Sequence, residues 1–133
     1  MMMSLERAVE AAPTATRARL DRAAGALVGS RCLRCGTYSW PERAVCHHCG
    51  AAEPEPATLS PRGTLVTHTT VWVPRPPLEP PFTLGQVELP EGVLVFAHVR
   101  GLAGDDRVPL PVELRLAERD DDVPPFWFEP VRL

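Results

Sequence analysis

A mainly β protein, in which a metal-held ribbon leads into a small barrel, is predicted by three observations. Two Cys-x2-Cys pairs, Cys32/Cys35 and Cys46/Cys49, stand ten residues apart. Five short stretches rich in Val, Thr, Leu and Phe follow between residues 58 and 133. Proline occurs 16 times in 133 residues and breaks up every long run except the N-terminal one, so helices are expected only there.

In chain order, residues 1–29 read as a helical segment. Ser4 can cap a first short helix, with Leu5, Ala8, Val9 and Ala12 on one face and Pro13 as its stop. Leu20, Ala23, Ala24, Leu27 and Val28 then recur at helical spacing, and Gly29 ends the run. This thin stripe either packs on its own domain or docks on another protein, with Leu20 and Leu27 as the anchors in the second case. Residues 30–57 form the cysteine ribbon and a short, stiff Glu-Pro-Glu-Pro-Ala linker.

From residue 58 the pattern becomes that of strands. Gly63–Val73 is rich in Thr and Val. Pro74–Pro81 is a proline-rich loop of extended character. Phe82–Leu89 is a second strand, in which Gly85 marks a bulge or a barrel bend. Pro90-Glu91-Gly92 is a hairpin turn into Val93–Arg100. Val112, Leu114 and Leu116 alternate with Glu113 and Arg115, so one face of the fourth strand is wet. Phe126–Val131 is the fifth. Five short strands in this length suit a five-stranded barrel of the OB type, and an SH3-like barrel fits the count nearly as well.

The cysteine spacing carries the chemistry. Two residues between paired cysteines let both sulfurs of a tight turn face one ion, and Gly36 and Gly50 relieve the backbone just after each turn. Four thiolates make a closed tetrahedral shell, the pattern of a structural zinc site with no open position for substrate. Zinc binding of roughly 10–16 kcal/mol can supply most of the folding energy of so short a ribbon. The knuckle around Cys32 also resembles a rubredoxin iron knuckle, which leaves iron as the alternative metal. His47 and His48 lie inside the second knuckle as bystanders, since four cysteines already complete the shell.

Several function classes are excluded. All 14 basic residues are arginine, so no lysine is available for a Schiff base. No phosphate loop, nucleophile elbow, zinc-protease helix or dinucleotide fingerprint is present. Residues 58–133 hold seven Arg against eleven acids, a net −4, which argues against nucleic acid even though OB folds often bind single strands. No stretch approaches the about 20 apolar residues needed to span a bilayer, and no secretory signal is evident, so a cytoplasmic protein without membrane contact is expected.

The ordered set of motifs resembles a known family. The two Cys-x2-Cys-Gly knuckles lead into Leu59-Ser-Pro-Arg-Gly63-Thr-Leu-Val, the proline-rich loop and Pro81-Phe82-Thr-Leu-Gly-Gln-Val-Glu-Leu-Pro-Glu-Gly92. Val108-Pro-Leu-Pro-Val112-Glu-Leu and Phe126-Trp-Phe-Glu-Pro130 complete the series. Over about residues 28–133 this is similar to the zinc-ribbon plus OB-fold proteins called domain of unknown function family thirty-five. The resemblance implies a non-catalytic partner of thiolase-fold enzymes that act on acyl-CoA thioesters. These include thiolases and the lipid-transfer-protein-like aldolases of steroid side-chain degradation, in some cases with an enoyl-CoA hydratase. It carries the metal role over to Cys32, Cys35, Cys46 and Cys49. It also implies a two-plus-two heterotetramer with acyl-CoA at the shared interface, where Arg75 is the candidate contact for a CoA phosphate. The alternative is a single-stranded nucleic-acid-binding OB-fold protein.

Overall fold

The computed structural model describes residues 19–119 and 121–132. Among them there is no helix. The segment read as helical is instead a hairpin of β1 (Leu20–Asp21) and β2 (Ala26–Cys32), paired Leu20 to Leu27 and Asp21 to Ala26. Asp21 Oδ1 accepts the Ala24 N–H at 3.1 Å, and Gly25 takes φ 63°. Both features favour a turn in the middle of the supposed stripe. The first helix expected, around Leu5–Ala12, lies outside the described residues.

A second strand decides the outcome. β4 (Pro54–Thr58), expected as a linker, pairs antiparallel with β2 from Cys32 opposite Pro54 to Val28 opposite Thr58. The flanking bonds Leu33 N–H to Glu53 C=O and Leu59 N–H to Leu27 C=O, both 2.9 Å, put the odd-numbered residues in register for ladder bonding. Pro54 and Pro56 then fall at the alternate positions, whose missing N–H would point away from β2. An alanine-rich helical stripe cannot compete with a full ladder on a buried strand. β3 (Tyr38–Ser39) pairs with the other edge of β2.

The barrel is closed in the order β5-β6-β7-β9-β8. Its strands are β5 (Arg62–Val71), β6 (Phe82–Glu88), β7 (Leu94–Val99), β8 (Leu110–Leu116) and β9 (Phe126–Pro130). β7 and β9 run parallel at Val99 and Phe128, and all other pairs are antiparallel. That connectivity is the OB barrel and removes the SH3-like alternative. The bulge sits on β5 between Leu65 and Thr67, opposite Val87 and Gln86, and not at Gly85, which pairs with His68. A Cβ on Gly85 would lie 2.6 Å from Leu65 Cδ1 and 2.9 Å from the Thr67 carbonyl, so glycine lets the sheet bend there.

Leu65, Val87, Val95, Val112 and Phe128 fill the barrel and are fully buried. One core continues into the ribbon: Leu27 and Leu59 belong to it, with Leu20, Tyr38 and Trp40 packed against it. Trp40 meets Phe126 edge-to-face at 5.7 Å. Ser60 donates from its N–H (3.1 Å) and its Oγ (2.7 Å) to Glu91, and Arg22 donates to the Ala117 carbonyl at 2.7 Å. Leu27 is 1% exposed. It is therefore a core residue of its own chain with no surface left to anchor a partner, and half-buried Leu20 is its cross-strand neighbour.

Leu27→Ala is expected to destabilise the isolated chain by about 3 kcal/mol, as for other buried leucines. Urea unfolding followed by tryptophan fluorescence measures this; an unchanged midpoint would mean that Leu27 does not plug the barrel.

Candidate metal centre

Two knuckles with the same backbone pattern face each other. In the first, the Gly36 N–H donates to the Cys32 carbonyl at 2.8 Å and the Cys32 N–H to the Thr37 carbonyl at 2.9 Å. In the second, Gly50 donates to Cys46 at 3.0 Å and Cys46 to Ala51 at 2.8 Å. Gly36 and Gly50 both have φ 80°, a region that a side chain would strain. β2 delivers Cys32 at its last residue, so the first knuckle is rooted in the strand that also enters the barrel core.

The four sulfurs all lie within 4.8 Å of one another. Cys32 to Cys49 and Cys35 to Cys46 are each 3.6 Å apart. A tetrahedral ion with bonds of about 2.3 Å requires sulfur separations of about 3.8 Å, so the set has the size of a four-thiolate metal site. Cys32 and Cys46 are buried, whereas Cys35 and Cys49 are exposed.

The surroundings favour thiolates unevenly. Hydrogen bonds from Thr37, first its hydroxyl and then its backbone N–H, hold the Cys35 thiol down to about 5. The N–H groups of Cys49 and His48 lower Cys46, pointing at its sulfur from 3.5 and 3.3 Å. At Cys49 a bond from Ala51 pulls downward, yet burial and the sulfurs of Cys35, Cys32 and Cys46 outweigh it and push the thiol up to about 11. Only a cation among them lets all four sulfurs ionise together. The donor set thus fits a metal ion. His47 is tied through Nδ1 to Ser39 Oγ at 3.1 Å, and neither His47 nor His48 belongs to the set.

Away from the ribbon, the barrel holds a cleft of about 480 Å³. Pro77, Leu78, Glu79, Pro81, Phe82, Thr83, His98 and Arg100 are among the residues that line it. Arg75 does not line it. That residue lies on the exposed Arg75–Leu78 turn, where the Leu78 N–H bonds back to the Arg75 carbonyl at 2.6 Å. Sequence reasoning missed Arg100, which directly follows β7 and lines the cleft. It also missed the apolar outer surface of β7. Leu94 and Phe96 are 53% and 60% exposed there, and Trp72 at the end of the β5 arm is 71% exposed. Outward-facing Leu94 and Phe96 alternate with buried Val95 and Ala97, a pattern legible in the sequence as an apolar run on both faces. Among the described residues no helix is long and apolar enough to cross a membrane.

Two family models match in tandem: the ChsH2 rubredoxin-like zinc ribbon domain over residues 21–55 and the ChsH2 C-terminal OB-fold domain over residues 57–117. The chain is similar to the benzoylsuccinyl-CoA thiolase subunit BbsA of Thauera aromatica, 31% identical over 110 residues, which are 83% of this chain and 76% of that one. It is 29% identical over 106 residues to a probable enoyl-CoA hydratase alpha subunit of Thermomonospora curvata, covering 78% of this chain but only 33% of that longer protein. Among solved structures, the Ltp2-ChsH2(DUF35) aldolase matches with a TM-score of 0.67 and 28% identity, over 79% of this chain and 84% of that one.

The purified chain is expected to hold one metal ion, and Cys35→Ser to lose most of it together with the ordered ribbon. Elemental analysis beside circular dichroism checks this. A folded, metal-free wild-type protein would contradict the four-thiolate reading.

Proposed function

Because the chain belongs to the family of proteins that join a ChsH2-type zinc ribbon to a C-terminal OB-fold domain, we propose that it is a non-catalytic accessory subunit of a thiolase-fold enzyme acting on acyl-CoA thioesters. The observation that carries this reading is its similarity, over about four fifths of its length, to a protein named as a thiolase subunit and to a chain in an aldolase complex. The partner supplies nucleophile and base. A lipid-transfer-protein-like aldolase of steroid or lipid side-chain degradation is the second partner class on the same grounds. Two copies of each subunit then form a two-fold heterotetramer in the cytoplasm, since thiolase-fold enzymes are ordinarily dimers. The hydratase alpha subunit among the relatives supports an enoyl-CoA hydratase as an additional associate.

Physical features of the chain support a binding role. All four cysteines are used in one cluster, so none is left as a thiolase-type nucleophile. A closed four-sulfur shell also leaves no coordination site for a substrate. The metal is zinc, which favours this tetrahedral thiolate set and stays redox-silent. The exposed Trp72, and separately the outward-facing Leu94 and Phe96 on β7, give more exposed apolar surface than a free barrel in water requires and suit protein contacts.

Three measurements test these statements. The chain alone should turn over no acyl-CoA, while a mixture with the thiolase-fold subunit of its own host should be active and co-elute on size exclusion. Equal partner activity with and without this chain, and separate elution, would remove the accessory-subunit reading. Elemental analysis should find zinc; iron with a red colour would instead indicate a rubredoxin-like centre. Fluorescence anisotropy with single-stranded DNA or RNA should show no tight binding at physiological salt, because the barrel is acidic; sub-micromolar binding that weakens steeply with salt would favour the nucleic-acid alternative.

A further inference from the structure

β5 outruns its neighbour β8. It extends from Arg62 to Val71, yet β8 accompanies it only from Arg62 to Leu65. Beyond the bulge, residues 67–71 pair with β6 alone and form the outer strand of an arm. The backbone direction of each arm residue follows from the ladder on the far side of β6. The Leu89 N–H donates to the Val93 carbonyl at 2.9 Å, so Val87, Gly85 and Thr83, at alternate positions, face β7. Gln86, Leu84 and Phe82 then face β5, where they meet Thr67, Thr69 and Val71. The residues between, His68 and Thr70, turn their N–H and C=O groups outward. Among the described residues no strand pairs with that edge.

The edge lacks the guards that strands exposed in this way ordinarily carry. Residues 64–73 include no proline, no arginine and no carboxylate, in contrast with the two prolines of β4. Residues 66–70 are all exposed, and Thr and Val favour the extended chain. Trp72, one step past the strand end, is 71% exposed. Residues 58–133 hold seven Arg against eleven acids, so this uncharged arm is a place where two copies can approach without opposed carboxylates. The arm is also self-complementary. Antiparallel pairing about a two-fold axis at Thr70 sets Thr70 opposite its own copy and Trp72 opposite the second copy's His68, twice. These positions share one face of the strand, so each exposed indole gains an aromatic neighbour. Thr69 meets Val71 on the other face. The register also keeps the second copy clear of β8, whose pairing with β5 stops at Leu65.

We infer that the outer edge of the β5 arm is a homotypic interface, on which a second copy of this chain pairs antiparallel and joins two β5-β6-β7 sheets into one. A contact built on a single strand is small, and interfaces under about 1,200 Å² hold transient pairs. The expected state is therefore a concentration-dependent equilibrium of monomer and dimer. The inference stands on the arm itself and not on the accessory-subunit reading.

Sedimentation velocity of the full-length, metal-loaded chain without a partner tests it. The mass should rise with concentration from one chain to two, and no further. Thr70→Pro removes one outward N–H from each copy and leaves Thr69 and Val71 bonded to β6. It should raise the dissociation constant at least about tenfold, with circular dichroism and metal content unchanged. Trp72→Glu, at a side chain the fold leaves exposed, should weaken pairing too and keeps the test decisive if Thr70→Pro fails to fold. Thr70→Cys reports the register: its thiols meet at the axis, and mild oxidation of the metal-loaded chain should give a covalent dimer that a reductant separates. Thr67→Cys, three residues off the axis and so about 20 Å from its copy, should give none. A monomer at every concentration, unchanged affinity in both arm variants, or equal cross-linking of the two cysteine variants would overturn the assignment. So would a wild-type chain that never self-pairs but loses its thiolase-fold partner on Thr70→Pro, a result that gives the edge to the partner. Co-elution of the wild-type chain with that partner remains the separate test of the accessory-subunit reading.

Discussion

Four sulfur atoms held within 4.8 Å set the terms for the ribbon that precedes the barrel. Thiols packed this closely cannot all release their protons without a positive charge among them, and the rise of Cys49, to which burial and the other three sulfurs contribute, expresses that conflict. A bound cation resolves it and closes two knuckles that have little apolar core of their own. The buried cluster there consists only of Cys32, Cys46 and Ala51. So small a core cannot offset the chain entropy of ordering the ribbon. Metal coordination therefore takes the place that side-chain burial has in the barrel.

The two sources of stability meet on β2. Its first residues, Ala26 and Leu27, are buried with the barrel core, and its last residue is a metal ligand. Arg31, between them, reaches Glu55 at 3.1 Å and lies 6.0 Å over the Tyr38 ring, bracing β2 against both neighbours. The exposed ion pair adds little by itself. Its value is geometric, since β3 and β4 have to flank β2 for the knuckles to face each other. Loss of metal is thus felt first at one end of a strand whose other end seals the barrel.

The four-cysteine cluster was legible in the sequence because paired spacing is a short-range property: each knuckle needs only its own four or five residues. The barrel strands were legible for the related reason that alternation, as in Val112–Leu116, records burial on one face. The N-terminal segment misled because Leu20, Leu27 and Val28 are compatible with both a helical stripe and a hairpin. The deciding partner, Pro54–Thr58, carries prolines that read as a breaker. Only the register with β2 shows that they occupy non-donating positions. The Arg100–Trp127 stack was illegible for a different reason: the two residues lie 27 positions apart in the sequence and side by side in the fold.

Pro54 and Pro56 have one more effect. On the outer side of β4 they leave gaps in the row of N–H groups that an incoming strand would need. The β4 edge of the ribbon sheet is thereby closed to extension by a foreign backbone, whether in orderly strand addition or in edge-to-edge aggregation. Recognition of another protein on this side must then proceed through side-chain shape and chemistry, which discriminate between partners far better than a generic backbone ladder does.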